Sequence, residues 1–389
     1  MLGRCYGGDM STDAQSPMPE SLVIERRNGA ITHVTLNRPR AINALSSVMF
    51  EMLAEIFGRA HDGSGAGGGP AGGATVGSAI LLDGAGERGF CGGGDIKELA
   101  GEDPRGILAL EYAVDHLVAT SPVPVVAIMD GIAMGGGIGL GGHAAQRVVT
   151  ERSRLAMPEA RIGIVPDVGG HLLLARAPGR LGELLAVTAG EMGPGDAIEL
   201  GFADHFVPST KLGELRDALA SGEEPDGACA RLAETPPDSP VLEARAWWDP
   251  LADDALGAGH APAATDPAGA AMRLVSALEA STHARATAVG ETVRQMCPTS
   301  VAVTLAQLDR TRHLSLSLAE VLTDDLRVLG RLGARADFAE GVRAQVIDKD
   351  RSPRWSPARI EDLDTAVVAA LVDPALGPGE TPLVFALAR

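Results

Sequence analysis

Two carboxylates, Glu159 and Asp167, lie eight residues apart, and each directly follows a proline. A pair of acid groups is a simple acid/base apparatus, because like charges in a dry cavity raise one pKa and leave one proton donor beside one base. Each residue also has a plainer interpretation. Asp167 precedes a glycine-led segment and is suited to cap a helix, and Glu159 is compatible with a solvated surface charge.

Two triple-glycine runs, 92–94 and 135–137, accompany these carboxylates, and each follows an apolar stretch. Glycine allows a backbone N–H to come close to a ligand. If one N–H from each turn points into a shared cavity, the two form an oxyanion hole for a thioester carbonyl, each donor contributing roughly 3 kcal/mol to transition-state stabilisation. Either run alone is better explained by a tight turn or by close packing of backbone on backbone, but two such runs, each after an apolar strand, favour the functional interpretation.

A second glycine pattern is misleading. Gly137, Gly139 and Gly142 satisfy G-x-G-x-x-G, but in a dinucleotide-binding fold these glycines directly follow the first strand of a βαβ unit. Here Asp130 and Gly131 interrupt the chain before the run. We therefore expect no nicotinamide cofactor, and the absence of a G-x-S-x-G motif gives no support to a serine hydrolase of that kind.

Other polar residues near these motifs carry weaker signals. Glu111 borders the apolar face of a predicted helix, where a surface carboxylate is the ordinary expectation. His143 and His171 flank the glycine–acid stretch, but neither has a partner at metal-ligand spacing, and the four cysteines form no CxxC pair. We therefore expect no metal site.

Composition limits the classes of partner. The net charge of -18 argues against nucleic acid or an anionic membrane as a general partner. The first twenty residues lack the apolar run of a signal peptide, and the longest apolar region, 123–140, is interrupted by Asp130 and by glycines, so it is a poor membrane span. Because the spacing of the cysteines does not suggest a disulfide framework, a cytoplasmic location is expected.

The chain divides by pattern into a loose leader (1–20), an alternating strand–helix region (21–210), a variable acidic segment rich in Pro, Gly and Ala (211–270), and a mostly helical C-terminal region (271–389). Alternating strands and helices with short links indicate an α/β fold. A glycine-rich insertion without periodicity, 61–77, is expected to be a surface loop.

Three local elements are also predicted. Asn28-Gly29 between two apolar runs indicates a hairpin. The spacing of apolar residues predicts a helix over Ala41–Phe57, and Ser317 with Glu320 has the capping-box pattern before an apolar run.

Together these residues give the chain a family resemblance. It resembles the enoyl-CoA hydratase/isomerase (crotonase) superfamily over about residues 20–210, and within it the 3-hydroxyisobutyryl-CoA hydrolases, to about residue 363. The matching stretches are LNRPRAINAL, FCGGGDIKEL, PVVAIMDGIAMGGGIGL, AMPEARIGIVPDVGG, GFADHFVP, MCPTSVAVTLAQL and DFAEGVRAQVIDKDRSPRWSP.

The resemblance implies a spiral of ββα units, with C-terminal helices covering the site or an oligomer interface. It places the oxyanion N–H groups on Gly94 and Gly136, the catalytic carboxylates on Glu159 and Asp167, and an acyl-contacting carboxylate on Glu111. Glu111 would bind the substrate hydroxyl, and Gly136, Glu159 and Asp167 would also contact the acyl group.

The resemblance further implies that the adenine end of CoA lies near Asp95, Ile96 and Lys97, with Arg38 and Arg40 as candidate phosphate neighbours. CoA is then part of the substrate, and no separate cofactor is required. The expected partner is an acyl-CoA, with a homo-oligomer compatible with the family.

One departure from the superfamily bears on the reaction. Hydratases carry a second Glu two residues after the triple glycine, and this chain has Gly139 there. The acid pair that adds water is therefore absent, which favours hydrolysis of a short β-hydroxyacyl-CoA, 3-hydroxyisobutyryl-CoA of valine breakdown above all. The alternatives are an enoyl-CoA hydratase or isomerase, and a non-catalytic acyl-CoA-binding protein. His171, where the hydrolases usually continue the glycine run, is a smaller departure.

Overall fold

The computed structural model describes residues 21–62, 77–101, 104–257 and 259–385. The expected loose leader and nearly all of the glycine-rich segment lie outside these ranges. Ten strands are present in the described chain: β1 Val23–Asn28, β2 Ile31–Leu36, β3 Ala79–Gly84, β4 Gly89–Cys91, β5 Val125–Ile128, β6 Ile132–Met134, β7 Gln146–Val149, β8 Arg154–Ala156, β9 Glu191–Met192 and β10 His205–Phe206.

These strands form two sheets. The larger has the order β1-β2-β3-β5-β7-β10, and the smaller has the order β4-β6-β8-β9. The predicted hairpin is confirmed, since β1 and β2 pair antiparallel around Asn28 and Gly29. The remaining pairs of the larger sheet are parallel, and in the smaller sheet only the short β9 runs antiparallel to its neighbour.

Successive strands alternate between the sheets, which produces the spiral. Strands β3, β5 and β7 enter the larger sheet, and the strand that follows each of them enters the smaller one. Because β4, β6 and β8 pair in parallel, their carboxyl ends lie at one edge, where α/β folds commonly bind ligands. The glycine runs and Glu159 follow these three ends.

Seventeen α-helices occur in the described ranges: α1 Ser47–His61, α2 Ile96–Leu99, α3 Pro104–Ala119, α4 Gly136–Gly142, α5 Gly170–Arg176, α6 Leu181–Thr188, α7 Pro194–Glu199, α8 Leu212–Ala220, α9 Pro225–Leu232, α10 Pro240–Glu243, α11 Arg245–Leu256, α12 Pro267–Ala280, α13 Ala284–Gln295, α14 Pro298–Leu314, α15 Leu318–Gly333, α16 Ala336–Val342 and α17 Thr365–Val372. A π-helical turn, Arg343–Ile347, continues α16. The predicted capping box of Ser317 and Glu320 is present at the start of α15.

The helix predicted over Ala41–Phe57 begins six residues later than expected. Ile42 and Asn43 have φ values of 52° and 53°, which a right-handed helix cannot contain. The Asn43 amide instead donates to the carbonyls of Ala85, Gly89 and Phe90. The helix starts where the Ser46 hydroxyl accepts the first free N–H, from Met49.

Residues 211–270, marked by composition as a variable segment, fold into α8 to α11 and the start of α12. Side-chain caps begin three of these helices: Glu224 accepts from the Gly227 N–H, Ser239 from the Leu242 N–H, and Asp266 from the Gly269 N–H. Their buried side chains pack onto the α/β region. One apolar cluster extends from Val23 to Leu383, and a smaller one lies between the larger sheet and α8 and α9.

Substitution of Trp248 tests whether residues 211–270 belong to the large apolar cluster. Trp248 is fully buried, and its indole N–H donates to the Arg180 carbonyl at 2.6 Å. We expect Trp248→Ala to lower the free energy of unfolding in urea by about 3–5 kcal/mol. The neighbouring Trp247, half-buried and stacked on His283, is the control, and Trp247→Ala should cost much less. Equal losses would contradict this assignment.

Candidate active site

The cavity at the carboxyl ends of β4, β6 and β8 has a volume of about 280 Å³. It is lined by both glycine runs and by the carboxylates predicted from sequence, Glu111, Glu159 and Asp167. Residues separated by more than seventy positions along the chain therefore meet in one pocket.

The two glycine turns lie next to each other in the wall of this cavity. A Cβ placed on Gly136 would lie 3.2 Å from the amide nitrogen of Gly94 and would overlap the Glu111 carboxylate, so a side chain at 136 would displace that carboxylate. Within the described residues, neither the Gly94 N–H nor the Gly136 N–H has a hydrogen-bond acceptor. Two adjacent, unused donors are what an oxyanion hole requires.

Glu159 is buried in the cavity wall, with 5% of its surface exposed. In the described part of the chain its Oε2 has no hydrogen-bond partner, and its Oε1 lies beside Gly135, 2.9 Å from the place where a Cβ would stand. A solvated surface charge is therefore the wrong interpretation. A buried carboxylate oxygen without a partner is an available base or nucleophile once the group is ionised.

Asp167 does not cap the helix that follows it. The N-cap of α5 is Gly169, without a side-chain bond, whereas Oδ2 of Asp167 accepts the Tyr112 hydroxyl at 2.7 Å. Tyr112 lies on α3, next to Glu111, and both are buried. The sequence analysis missed Tyr112, although it is one of only two tyrosines in the chain.

Burial and like charge act on these acids together. Burial, reinforced by the Asp167 charge, raises the pKa of Glu159 and of Glu111 well above the ordinary value. Burial, followed by the charge of Asp325, raises the pKa of Asp167 to about 7, against the Tyr112 hydrogen bond that lowers it. The site therefore holds protons at a pH where ordinary carboxyls have lost them.

The side-chain space at Gly139 is filled. A Cβ there would lie 2.5 Å from Cβ of Val168 and 2.8 Å from Oδ2 of Asp115. Asp115 is a buried acid that sequence analysis missed, although it stands four residues after Glu111 on the same face of α3. The position where a hydratase has its second Glu therefore has no room for one.

The residues suggested for the CoA adenine end lie at the margin of this cavity. Arg38 is bound to Asp95 at 2.7 Å, and Asp95 also caps the short helix α2 by accepting from the Lys97 N–H. Ile96 lines the cavity, whereas Arg38, Arg40, Asp95 and Lys97 do not. Their role in CoA binding stays a prediction.

A larger cavity of about 960 Å³ adjoins the first, and Arg161 and Gln345 line both. Arg351 and Arg354 also line it. Among the residues that the structure describes, no carboxylate lies within ion-pair distance of these three arginines, although most other arginines are paired. In a chain of net charge -18, this is a local concentration of unpaired positive charge.

Over the described ranges, no group of three or more His, Cys, Asp or Glu side chains is arranged to hold a metal ion. No helix in the same part of the chain has the length and hydrophobicity needed to cross a bilayer.

The sequence model of the family described as Enoyl-CoA hydratase/isomerase matches residues 31–372, so the chain belongs to that family. It is 34% identical to 3-hydroxyisobutyryl-CoA hydrolase, mitochondrial, of Gallus gallus over 354 residues, covering 89% of this chain and 87% of that protein. The protein of the same name in Homo sapiens is 32% identical over 352 residues, covering 88% and 86%.

Two solved structures share the fold and much of the sequence. A carnitinyl-CoA dehydratase from Mycobacterium thermoresistibile is similar with a TM-score of 0.81 and 35% identity, covering 94% of this chain and 99% of that one. An enoyl-CoA hydratase from Rhodobacter sphaeroides 2.4.1 is similar with a TM-score of 0.80 and 36% identity, covering 94% and 100%.

These comparisons confirm the family and the crotonase-like α/β fold inferred from sequence motifs. They do not support the expected cytoplasmic location, because the curated relatives are named as mitochondrial proteins. The oligomeric state remains a prediction.

Asp167→Asn tests the electrostatic cost of the site. Because folding raises the pKa of Asp167 to about 7 from an ordinary value of 3.8, its favourable contribution to stability is complete only below about pH 3.8 and is lost progressively as pH rises to 7. We expect the stability of the variant relative to the wild type to rise between pH 5 and pH 8, by about 1–3 kcal/mol, in thermal unfolding.

Asp95→Asn is the control for this experiment. Its partner Arg38 helps to lower the pKa of Asp95 below its usual value, so its effect on stability should not change between pH 5 and 8. A pH-independent effect of Asp167→Asn would contradict the account.

Proposed function

We propose that this protein hydrolyses the thioester of a short β-hydroxyacyl-CoA, 3-hydroxyisobutyryl-CoA in the breakdown of valine. The observation that carries the proposal is one cavity in which two unused backbone N–H groups face two buried carboxylates. The names of the curated relatives support the same substrate.

In this proposal the thioester oxygen accepts from the N–H groups of Gly94 and Gly136, which stabilise the negative charge that develops as the carbonyl is attacked. Either Glu159 attacks the carbonyl carbon and water then cleaves the resulting anhydride, or Glu159 takes a proton from an attacking water. In both routes the C–S bond breaks, the CoA sulfur gains a proton, and the acyl group leaves as a carboxylate with water's oxygen.

Asp167 and Glu111 have supporting roles. Asp167, held by the Tyr112 hydroxyl, orients the water or Glu159 and takes part in proton transfer. Glu111 lies against Gly136 and binds the hydroxyl of the acyl group, which favours β-hydroxyacyl substrates over plain ones. The chemistry needs no metal or redox cofactor, and CoA enters and leaves as part of the substrate.

Hydration is the second candidate, because two similar solved structures are named as a dehydratase and a hydratase. Addition of water in this superfamily uses a second Glu at position 139. That position is glycine here, and Val168 and Asp115 occupy the space above it. This crowding favours hydrolysis.

Glu159→Gln tests the proposed chemistry. The amide has the size of the acid but is neither a base nor a nucleophile, so kcat for thiol release from 3-hydroxyisobutyryl-CoA should fall at least about 10³-fold, with KM little changed. Free thiol measured with a thiol reagent gives the rate. Glu98→Gln, on the nearby α2, is the matched control and should stay near the wild-type rate. A Glu159→Gln variant with near-normal turnover would remove Glu159 from the mechanism.

We also propose that the arginine-lined cavity receives the phosphates of CoA. Arg161 borders both cavities, and Arg351 and Arg354 extend the positive charge outward. Arginine is well suited to phosphate, because its planar fork of N–H donors matches two phosphate oxygens. The Asp95–Lys97 region with Arg38 and Arg40 is the competing location.

Truncated substrates separate the two locations. Arg351→Ala combined with Arg354→Ala should raise KM for the CoA thioester about tenfold or more and leave KM for the corresponding pantetheine thioester unchanged, since the latter has no nucleotide. Arg40→Ala combined with Lys97→Ala is the matched pair. If only that second pair shows the selective effect, the phosphates bind at the competing location.

A further inference from the structure

The residue after Asp167 has a strained backbone. Val168 has φ of 51°, a left-handed conformation that is a genuine outlier for a β-branched residue. Such conformations cost about 1–3 kcal/mol each and persist only where the surroundings enforce them. The segment that carries the second acid of the site therefore needs an external support.

That support acts on one peptide unit. The carbonyl oxygen of Val168 lies 3.0 Å from Nε2 of His143, and the N–H of Gly169, the other half of the same peptide, donates to Oδ2 of Asp325 at 3.0 Å. Burial lowers the pKa of His143 to about 4, so its imidazole is neutral near pH 7 and Nε2 carries the proton it donates. Side chains from α4's C-terminal end and from α15 thus hold the peptide from both sides.

Asp325 lies against His171. Its Oδ1 lies 2.8 Å from Nε2 of His171, and both side chains are almost completely buried. The other ring nitrogen of His171 lies 3.0 Å from the Thr311 hydroxyl on α14. His143 and His171 flank the active-site stretch in sequence, and both lie near this peptide. His143 contacts it directly, and His171 contacts its partner Asp325.

The orientation of this peptide determines where its neighbours point. Val168 places its side chain over Gly139, in the space where a hydratase has its acid. Asp167 lies on the cavity side, with its carboxylate on Tyr112. A rotation of the Val168–Gly169 peptide would move both side chains, because the peptide is the direct continuation of Asp167.

We propose that His143 and Asp325 are positioning residues that clamp the Val168–Gly169 peptide and thereby hold the Asp167 carboxylate in the active site. The clamp depends on the proposed function only in that Asp167 takes part in the reaction. The C-terminal helices α14 and α15 then help to position the active site, through Thr311 and Asp325.

The same residues set the charge around Asp167. It is faced by Glu111, Tyr112 and Asp115 from α3, by Glu159 from the turn after β8, by His171 from α5 and by Asp325 from α15. The Asp325 charge raises the pKa of Asp167, whereas His171 lowers it. Asp325→Asn should therefore lower that pKa, and His171→Asn should raise it.

A double-mutant cycle tests the clamp. Asp325→Ala should lower kcat for thiol release at least tenfold, with KM changed less than about twofold, and should cause no further loss in an Asp167→Asn background, because it acts through Asp167. The same loss in both backgrounds, or an unchanged kcat in the single variant, would overturn the proposal.

Two further comparisons separate positioning from general stability. His143→Gln keeps an N–H donor and should retain most of kcat, whereas His143→Leu should not. Asp324→Asn is the control on α15, because Asp324 directly precedes Asp325 and is a buried acid paired with Arg310 and Arg327. This variant should lower Tm without lowering kcat. Equal activity in the two His143 variants would count against the clamp.

An activity-independent measurement distinguishes this proposal from the proposed function. In NMR spectra of the free protein, Asp325→Ala should shift both the Gly169 amide N–H signal, which loses its acceptor, and the ¹³C-labelled carboxyl signal of Asp167. Asp325→Asn keeps an acceptor oxygen and should shift the Gly169 signal much less. If these shifts occur in a protein that hydrolyses no thioester, the clamp stands and the proposed function is wrong. If neither shift occurs, the clamp is overturned whatever the activity.

Discussion

The parallel pairing of β4, β6 and β8 is the constraint on which the site depends. Neighbouring parallel strands end at the same edge of a sheet, so strand pairing alone brings together the turns that follow them. Two of those turns are glycine runs that expose unused N–H groups, and the third leads to Glu159. The proposed oxyanion donors and a carboxylate therefore become neighbours because three parallel strands end together.

A second constraint is electrostatic. Four buried carboxylates, those of Glu111, Asp115, Glu159 and Asp167, lie close together. In addition to burial, the charge of Asp167 raises the pKa values of the other three, and the charge of Asp325 raises the pKa of Asp167. Such an arrangement costs stability at neutral pH, since charge is removed from water and set beside like charge. The large apolar cluster that joins the sheets to the C-terminal helices offsets this cost, and Asp325 and Thr311 connect those same helices to the site.

Local sequence patterns predicted much of this structure, and the failures have physical causes. The hairpin, the capping box and the glycine turns depend on residues close in sequence, and the carboxylates Glu159 and Asp167 stand in the same stretch as the second turn. The start of α1 was misplaced because Asn43 uses its amide on distant carbonyls. Asp325 carried no signal, since it reaches the Asp167 segment from 156 residues beyond Gly169.

Gly139 shows how sequence and structure complement each other. The sequence shows that an acid is missing there, and the structure shows that Val168 and Asp115 occupy the space. The central claim, that this site cleaves a thioester and does not add water to a double bond, is tested by giving the wild-type protein 3-hydroxyisobutyryl-CoA and crotonyl-CoA in parallel. The account predicts rapid thiol release from the first and no loss of the double bond in the second. Rapid hydration of crotonyl-CoA without thiol release from 3-hydroxyisobutyryl-CoA would contradict it.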